Sequence, residues 1–134
     1  MKLITRKIEE KDWDTLCEWW NGHNFPIPSK DALPEHGMGG LIVEQDGLPV
    51  IAGFLFQTNT KGCWFEFIIS NPDYKESREK ITKELVNKAE IAAKILGYKY
   101  MLFVGKSKGL IKNFEELGWI KDPVPSFEMM KKIQ

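Results

Sequence analysis

Glu66 is the only charged side chain in the run Trp64-Phe65-Glu66-Phe67-Ile68-Ile69. A carboxylate held among aromatic and aliphatic groups loses solvation, and its pKa rises toward a range where it exchanges a proton near neutral pH. That makes Glu66 a candidate general base; the plainer alternative is a glutamate on a sheet face, paired with a lysine. Just downstream, Asn71-Pro72-Asp73-Tyr74 ends the apolar run and opens an amphipathic stretch. A strand running into a helix N-terminus aims unpaired backbone N–H groups and the helix dipole at one point, which suits an anion. Lys75, Arg78 and Lys80 bring three cations to that junction. They could pair with phosphate groups, or they could alternate with Glu76, Glu79 and Glu84 on a solvated, salt-bridged helix face. His23 and His36 are second-choice bases.

These residues need elements to hold them. Residues 2–8 alternate as a short strand. From Glu10 the period changes, and Trp13, Leu16, Cys17 and Trp20 form one helical stripe that Gly22 can end. Trp19 lies off that stripe and is expected to cap the loop that follows. Pro26, Pro28 and Pro34 make residues 23–40 a long ordered loop, of the kind that often carries function. Residues 41–44 and 49–58 read as hairpin strands around Gln45-Asp46-Gly47, and residues 63–70 as a central strand.

A helix is expected from Pro72 to Gly97, with Asn71 as N-cap and Pro72 in the first turn. A buried strand at 98–104 follows it. Ser107 caps a last helix with Leu110, Ile111, Phe114 and Leu117 inside and Gly118 at its end, and a strand near 127–132 closes the domain. The order β-α-loop-β-β-β-α-β-α-β makes the strands on either side of the long helix parallel neighbours or near-neighbours. It predicts an α/β (α+β) domain spanning 1–134, with a mixed sheet of about six to seven strands and helices on both faces.

Composition bounds the partners. The 134 residues are 43% hydrophobic and 28% charged, enough for one core and unlike a disordered chain. Nineteen acidic and nineteen basic residues cancel, so no overall field draws in nucleic acid. Cys17 and Cys63 have no metal-ligand spacing and read as reduced core thiols of a cytoplasmic protein. Neither a leader nor a membrane span is expected.

With these motifs, the order of elements resembles the GCN5-related N-acetyltransferase (GNAT) superfamily over nearly the whole chain. It is similar in particular to small bacteriophage-encoded members, on Trp19-Trp20, Phe25-Pro26-Ile27-Pro28, Leu33-Pro34, Trp64-Phe65-Glu66 and Ser70-Asn71-Pro72. Pro72-Asp73-Tyr74 and Lys75 match the lead-in to the family's phosphate loop, while Arg78 and Lys80 stand where it has small residues. Asn113-Phe114-Glu115-Glu116-Leu117-Gly118-Trp119 matches a second motif, with Phe114 in place of the usual tyrosine.

The resemblance implies acetyl-CoA as cofactor and acetyl transfer to an amine of a small molecule or protein. It implies thioester binding by the backbone of Ile68, Ile69 and Ser70, pyrophosphate at Lys75, Arg78 and Lys80, Phe114 beside the cofactor channel, and Glu66 as base. Phe114 has no proton to give, so the thiolate leaves unaided or a hydroxyl of Tyr74, Tyr98 or Ser107 serves. The missing glycines and Phe114 also suit a fold that has lost catalysis and binds a host protein. A third reading is a phage enzyme that modifies nucleobases. A homodimer could form through the final strand.

Overall fold

A computed structural model describes residues 2–134. The chain runs β1 (Leu3–Lys7), α1 (Trp13–Gly22), β2 (Gly40–Gln45), β3 (Leu48–Phe56), β4 (Gly62–Ser70), α2 (Arg78–Ile95), β5 (Tyr100–Leu102) and α3 (Lys108–Glu116). The sheet order is β1-β2-β3-β4-β5; the first three pairings are antiparallel and β4–β5 is parallel. This is the mixed sheet that the element order requires, with five strands rather than six or seven. The expected last strand at 127–132 pairs with nothing among the described residues. Pro123 and Pro125 lie just ahead of it, and each removes a ladder donor.

Alternation along the strands fills two cores. On one face Leu16, Trp19 and Trp20 of α1 pack with Ile42, Phe54 and Ile69. On the other Ile81, Leu85 and Ala89 of α2 cover Val43, Val50 and Phe65. Trp19, expected off the core stripe, is 3% exposed and sits inside the first core. The two-residue turn at Asp46 and Gly47 takes φ of 50° and 85°, as a tight hairpin requires. α1 ends at Gly22 as expected, and the glycine has a second role. A Cβ there would come within 2.7 Å of Pro72 Cγ, so its bareness lets the end of α1 close on the loop after β4.

One ion pair joins β1, β2 and the start of α1. Arg6 Nη1 and Nη2 donate to the two Asp12 oxygens at 2.8 Å each, and Arg6 Nε donates to Glu44 at 3.2 Å. Asp12 is buried and also accepts the Glu9 amide at 2.8 Å. Burial pushes its carboxyl up, but the Arg6 guanidinium and the Glu9 amide outweigh that and hold it below the ordinary carboxylate range. Replacing Asp12 by alanine removes the bidentate partner of Arg6 and the acceptor of the Glu9 amide, and should lower stability by about 2–3 kcal/mol in urea unfolding although Glu44 stays with Arg6. Because the folded carboxyl binds its proton less tightly than the unfolded one, the wild-type advantage is complete at neutral pH. It should shrink as pH falls below the carboxylate range.

Candidate functional site

The site begins where two parallel strands part. β4 and β5 share only the pairs Gly62–Tyr100, Cys63–Met101 and Trp64–Leu102. β4 then runs on to Ser70 without a partner on that side. Its other edge explains the departure. Ala52 of β3 stands opposite Ile69 and Phe54 opposite Glu66, so β4 carries one extra residue between them. Phe67 absorbs it with φ of 53°. A bulged strand bends and twists more than a regular one, and β4 swings away from β5.

Glu66 sits where the strands part. Its Oε1 accepts the Val104 N–H at 2.7 Å, across the gap from β4 to the chain beyond β5. The side chain is half-buried, and burial pushes the carboxyl up to about 7 against the pull of that N–H, with the Glu128 carboxylate adding to the rise. Its opposite residue is Phe54, which lies in the α1-side core, so Glu66 belongs to that face of the sheet.

The junction with α2 differs from the expected one. Asn71 does not cap a helix at Pro72; its Oδ1 accepts the Asp73 N–H at 3.0 Å and its carbonyl accepts the Tyr74 N–H at 3.1 Å, which makes a turn. The chain stays in a loop until Ser77, which takes φ of 51° and makes no side-chain cap bond, and the helix starts at Arg78. The first-turn amides are therefore uncovered by any capping side chain. Lys75 in the loop and Arg78 and Lys80 in the first turn are all exposed. Arg78 Nε donates to the Tyr74 carbonyl at 3.3 Å. Among the described residues no carboxylate pairs with any of the three. Glu79 pairs instead with Lys83 at 2.7 Å, which reaches Glu116 of α3 at 2.9 Å.

The remaining candidates divide. His23 Nε2 donates to the Ser70 carbonyl at 2.8 Å, and its ring stacks on Phe25, so it ties α1 to the end of β4. His36 is exposed, and its neighbour Glu35 is bound to Lys7 of β1. Ile68 packs toward α2 and Ile69 toward α1. Phe114 is 3% exposed, stacked on Phe103 at 4.2 Å and edge-on to Trp119 at 4.7 Å, so it is a packing residue here. Of the hydroxyls, Tyr98 bonds the Thr58 carbonyl, and Ser107 accepts the Leu110 N–H as the cap of α3. The Tyr74 hydroxyl is buried without a partner.

Sequence reasoning missed Phe67 and Val104. A phenylalanine carries no signal for left-handed backbone, and an amide is blind to residue type. Among the described residues no cluster of His, Cys, Asp or Glu could hold a metal ion, and no helix is long and apolar enough to cross a membrane.

No protein-family model matches the chain, and no curated protein matches it by sequence. Solved structures do. The ribosomal-protein-S18-alanine N-acetyltransferase of Escherichia coli is similar with a TM-score of 0.69 at 18% identity, over 87% of this chain and 77% of that one. N-acetylglutamate synthase from Neisseria gonorrhoeae, complexed with coenzyme A and L-arginine, gives 0.74 at 15% identity over 92% of this chain, which spans 29% of that protein. A GNAT family acetyltransferase of Staphylococcus aureus gives 0.65 at 13% identity, over 97% of this chain and all of that one. At these identities the likeness establishes the fold, which is that of the GNAT acetyltransferases.

The raised Glu66 carboxyl can be read directly. Its side-chain carbon resonance should titrate near pH 7 in a wild-type sample. The folded state binds this proton more tightly than the unfolded chain does. The resulting stability is therefore present in mild acid and lost as pH rises through about 7. In urea unfolding, Glu66→Gln should flatten the decline between about pH 5 and pH 8. A decline of unchanged slope would assign it to other groups.

Proposed function

We propose that the chain is an acetyl-CoA-dependent N-acyltransferase acting on an amine of a small molecule or a protein. One observation carries this reading: an unpaired β4 edge leads from Glu66 to a helix end that no side chain caps. The acetyltransferase fold adds support, and so does the Neisseria enzyme, a protein of the same fold complexed with coenzyme A. The landmarks at Trp19-Trp20 and Ser70-Asn71-Pro72 support a bacteriophage origin and work in a host cytoplasm.

The residues present fit the cofactor. Unpaired backbone groups of β4 beyond Phe65 offer a ladder to an extended amide-bearing arm. Lys75, Arg78 and Lys80, exposed and free of carboxylates, offer charge to phosphates where small residues would offer backbone. Transfer forms a C–N bond to the acceptor amine and breaks the thioester C–S bond. Glu66 takes the proton that the ammonium must lose, with its carboxyl already poised near neutral pH. Acyl oxygen charge falls to backbone N–H groups at Ile68, Ile69 and Ser70. The nitrogen sheds its second proton as the amide forms, and that proton neutralises the departing thiolate.

A specific observation favours a second reading, a fold that has lost catalysis and binds a host protein: Phe114, at the usual tyrosine position, is locked between two rings and donates no proton. Thermal melting and turnover separate the cases. About 1 mM CoA should raise the melting temperature by several degrees. The double variant Lys75→Glu, Arg78→Glu should bind CoA about tenfold more weakly while unfolding at the same urea concentration. Glu66→Gln should keep CoA affinity within about twofold and slow acetyl transfer at pH 7 by about a hundredfold or more. Absence of a CoA-induced shift would sink the first reading, and a stoichiometric host protein bound without CoA would support the second.

A further inference from the structure

The face of the sheet that carries Glu66 also carries aromatic rings that no helix covers. Trp64, two residues before Glu66 on the same strand, stands opposite Phe56 on one side and Leu102 on the other. Phe67, turned outward by the bulge, stacks on Phe56 with ring centroids 6.0 Å apart. Trp64 is 36% exposed, Phe67 43% and Leu102 39%. In a regular strand Phe67 would share the α2-side face with Phe65, so the left-handed backbone is what brings its ring beside Phe56. Strain of this kind persists only where surrounding contacts hold it, and it collects at working sites.

Beside the rings, a cavity of about 390 Å³ shares Phe56 as a wall. Leu33, Pro34 and Leu55 give it apolar lining, and Asp31 and Glu35 are its only charged residues. Glu35 is bound to Lys7 at 2.9 Å, whereas Asp31, Glu66 and the nearby Glu128 hold no basic partner among the described residues. Rings around a carboxyl suit one kind of visitor. A cationic amine can meet the acid and the ring faces at once, while its hydrocarbon covers the exposed apolar area.

We propose that Phe56, Trp64, Phe67 and Leu102 form the acceptor platform, and that the acceptor is a primary amine on an aromatic or branched aliphatic body rather than a hydrophilic polyamine. The proposal rests on the acetyl-transfer reading for the fate of the amine, but not for its binding. Phe67 and Trp64 are then specificity residues, and Glu66 receives the amine end of what they hold.

The test measures binding of phenethylamine, n-butylamine and spermidine to the full chain by calorimetry, with and without about 1 mM CoA. Phenethylamine is expected to bind at least about tenfold more tightly than either of the others. Phe67→Gly removes the ring and also relieves the left-handed backbone, so it should melt no lower than wild type. It should bring phenethylamine down to the n-butylamine level, and Trp64→Ala should weaken phenethylamine while sparing n-butylamine. Equal affinities for the three amines, a preference for spermidine, or a preference that survives Phe67→Gly would overturn the proposal. So would a dimer that dissociates in Phe67→Gly, since the face would then belong to a second copy. Failure of CoA to bind removes the transfer reading and leaves this comparison readable.

Discussion

The extra residue in β4 governs the geometry of everything around it. A strand that stayed in register with both neighbours would continue its ladder with β5 past Trp64 and Leu102, and no gap would open. Phe67 takes a conformation that costs a bulky residue about 1–2 kcal/mol, and it is held there from both sides. Phe65 before it is buried in the α2-side core, and Ile69 after it in the α1-side core. The bulge lets both anchors face their proper cores while the strand between them bends. Keeping that residue in a regular strand would turn Ile68 and Ile69 to the wrong faces, because side-chain period in a strand is two. The gap is thus a consequence of how the two cores are filled.

Across that gap the first contact is made by a side chain where a backbone would ordinarily stand. Glu66 reaches the Val104 amide at 2.7 Å and so substitutes for the next rung of the missing ladder. Its one strong donor is too little to offset burial, and the Glu128 carboxylate works against it, so the group rests between its two protonation states near neutrality. A carboxyl in that condition binds a cation or a proton readily and releases either. Placement and proton affinity therefore come from the same structural fact: a strand interior position that faces a parted neighbour.

Much of this fold was legible in the chain. Asp46-Gly47 between two apolar runs marked the hairpin, Ser107 marked the start of α3, and Gly97 and Gly118 adopt the left-handed backbone expected after helix ends. The apolar setting of Glu66 was legible too, since neighbours along a central strand are also its walls. The start of α2 was not. Asn71 is equally fit to cap a helix or to build a turn, and the choice fell to the turn because its amide is held by the Val50 carbonyl at 2.8 Å. Trp19 was misjudged because a helix packed beneath a long loop is buried on more than one stripe, and Leu33 of that loop joins the same core. The bulge was invisible, because phenylalanine at left-handed φ is chosen by the sheet and not by the residue.

The late start of α2 changes what the cations beside it can do. Had the helix begun at Pro72, Lys75 would have stood four residues from Glu79 and Lys80 four from Glu76, within reach at helical spacing. Beginning at Arg78, the helix puts Arg78 and Lys80 in its first turn, where the dipole is positive and the amides are free. Glu79 shares that turn and could neutralise them, but Lys83 holds it, and Lys83 is itself drawn toward Glu116 of α3. The contact between α2 and α3 thereby keeps the one acid of the first turn occupied. Positive charge from side chains and from backbone then converges on the end of β4, with no carboxylate paired to Lys75, Arg78 or Lys80 among the described residues. A phosphate site made this way relies on long, flexible groups in water rather than on close glycine backbone, so it is more sensitive to salt and less demanding in shape.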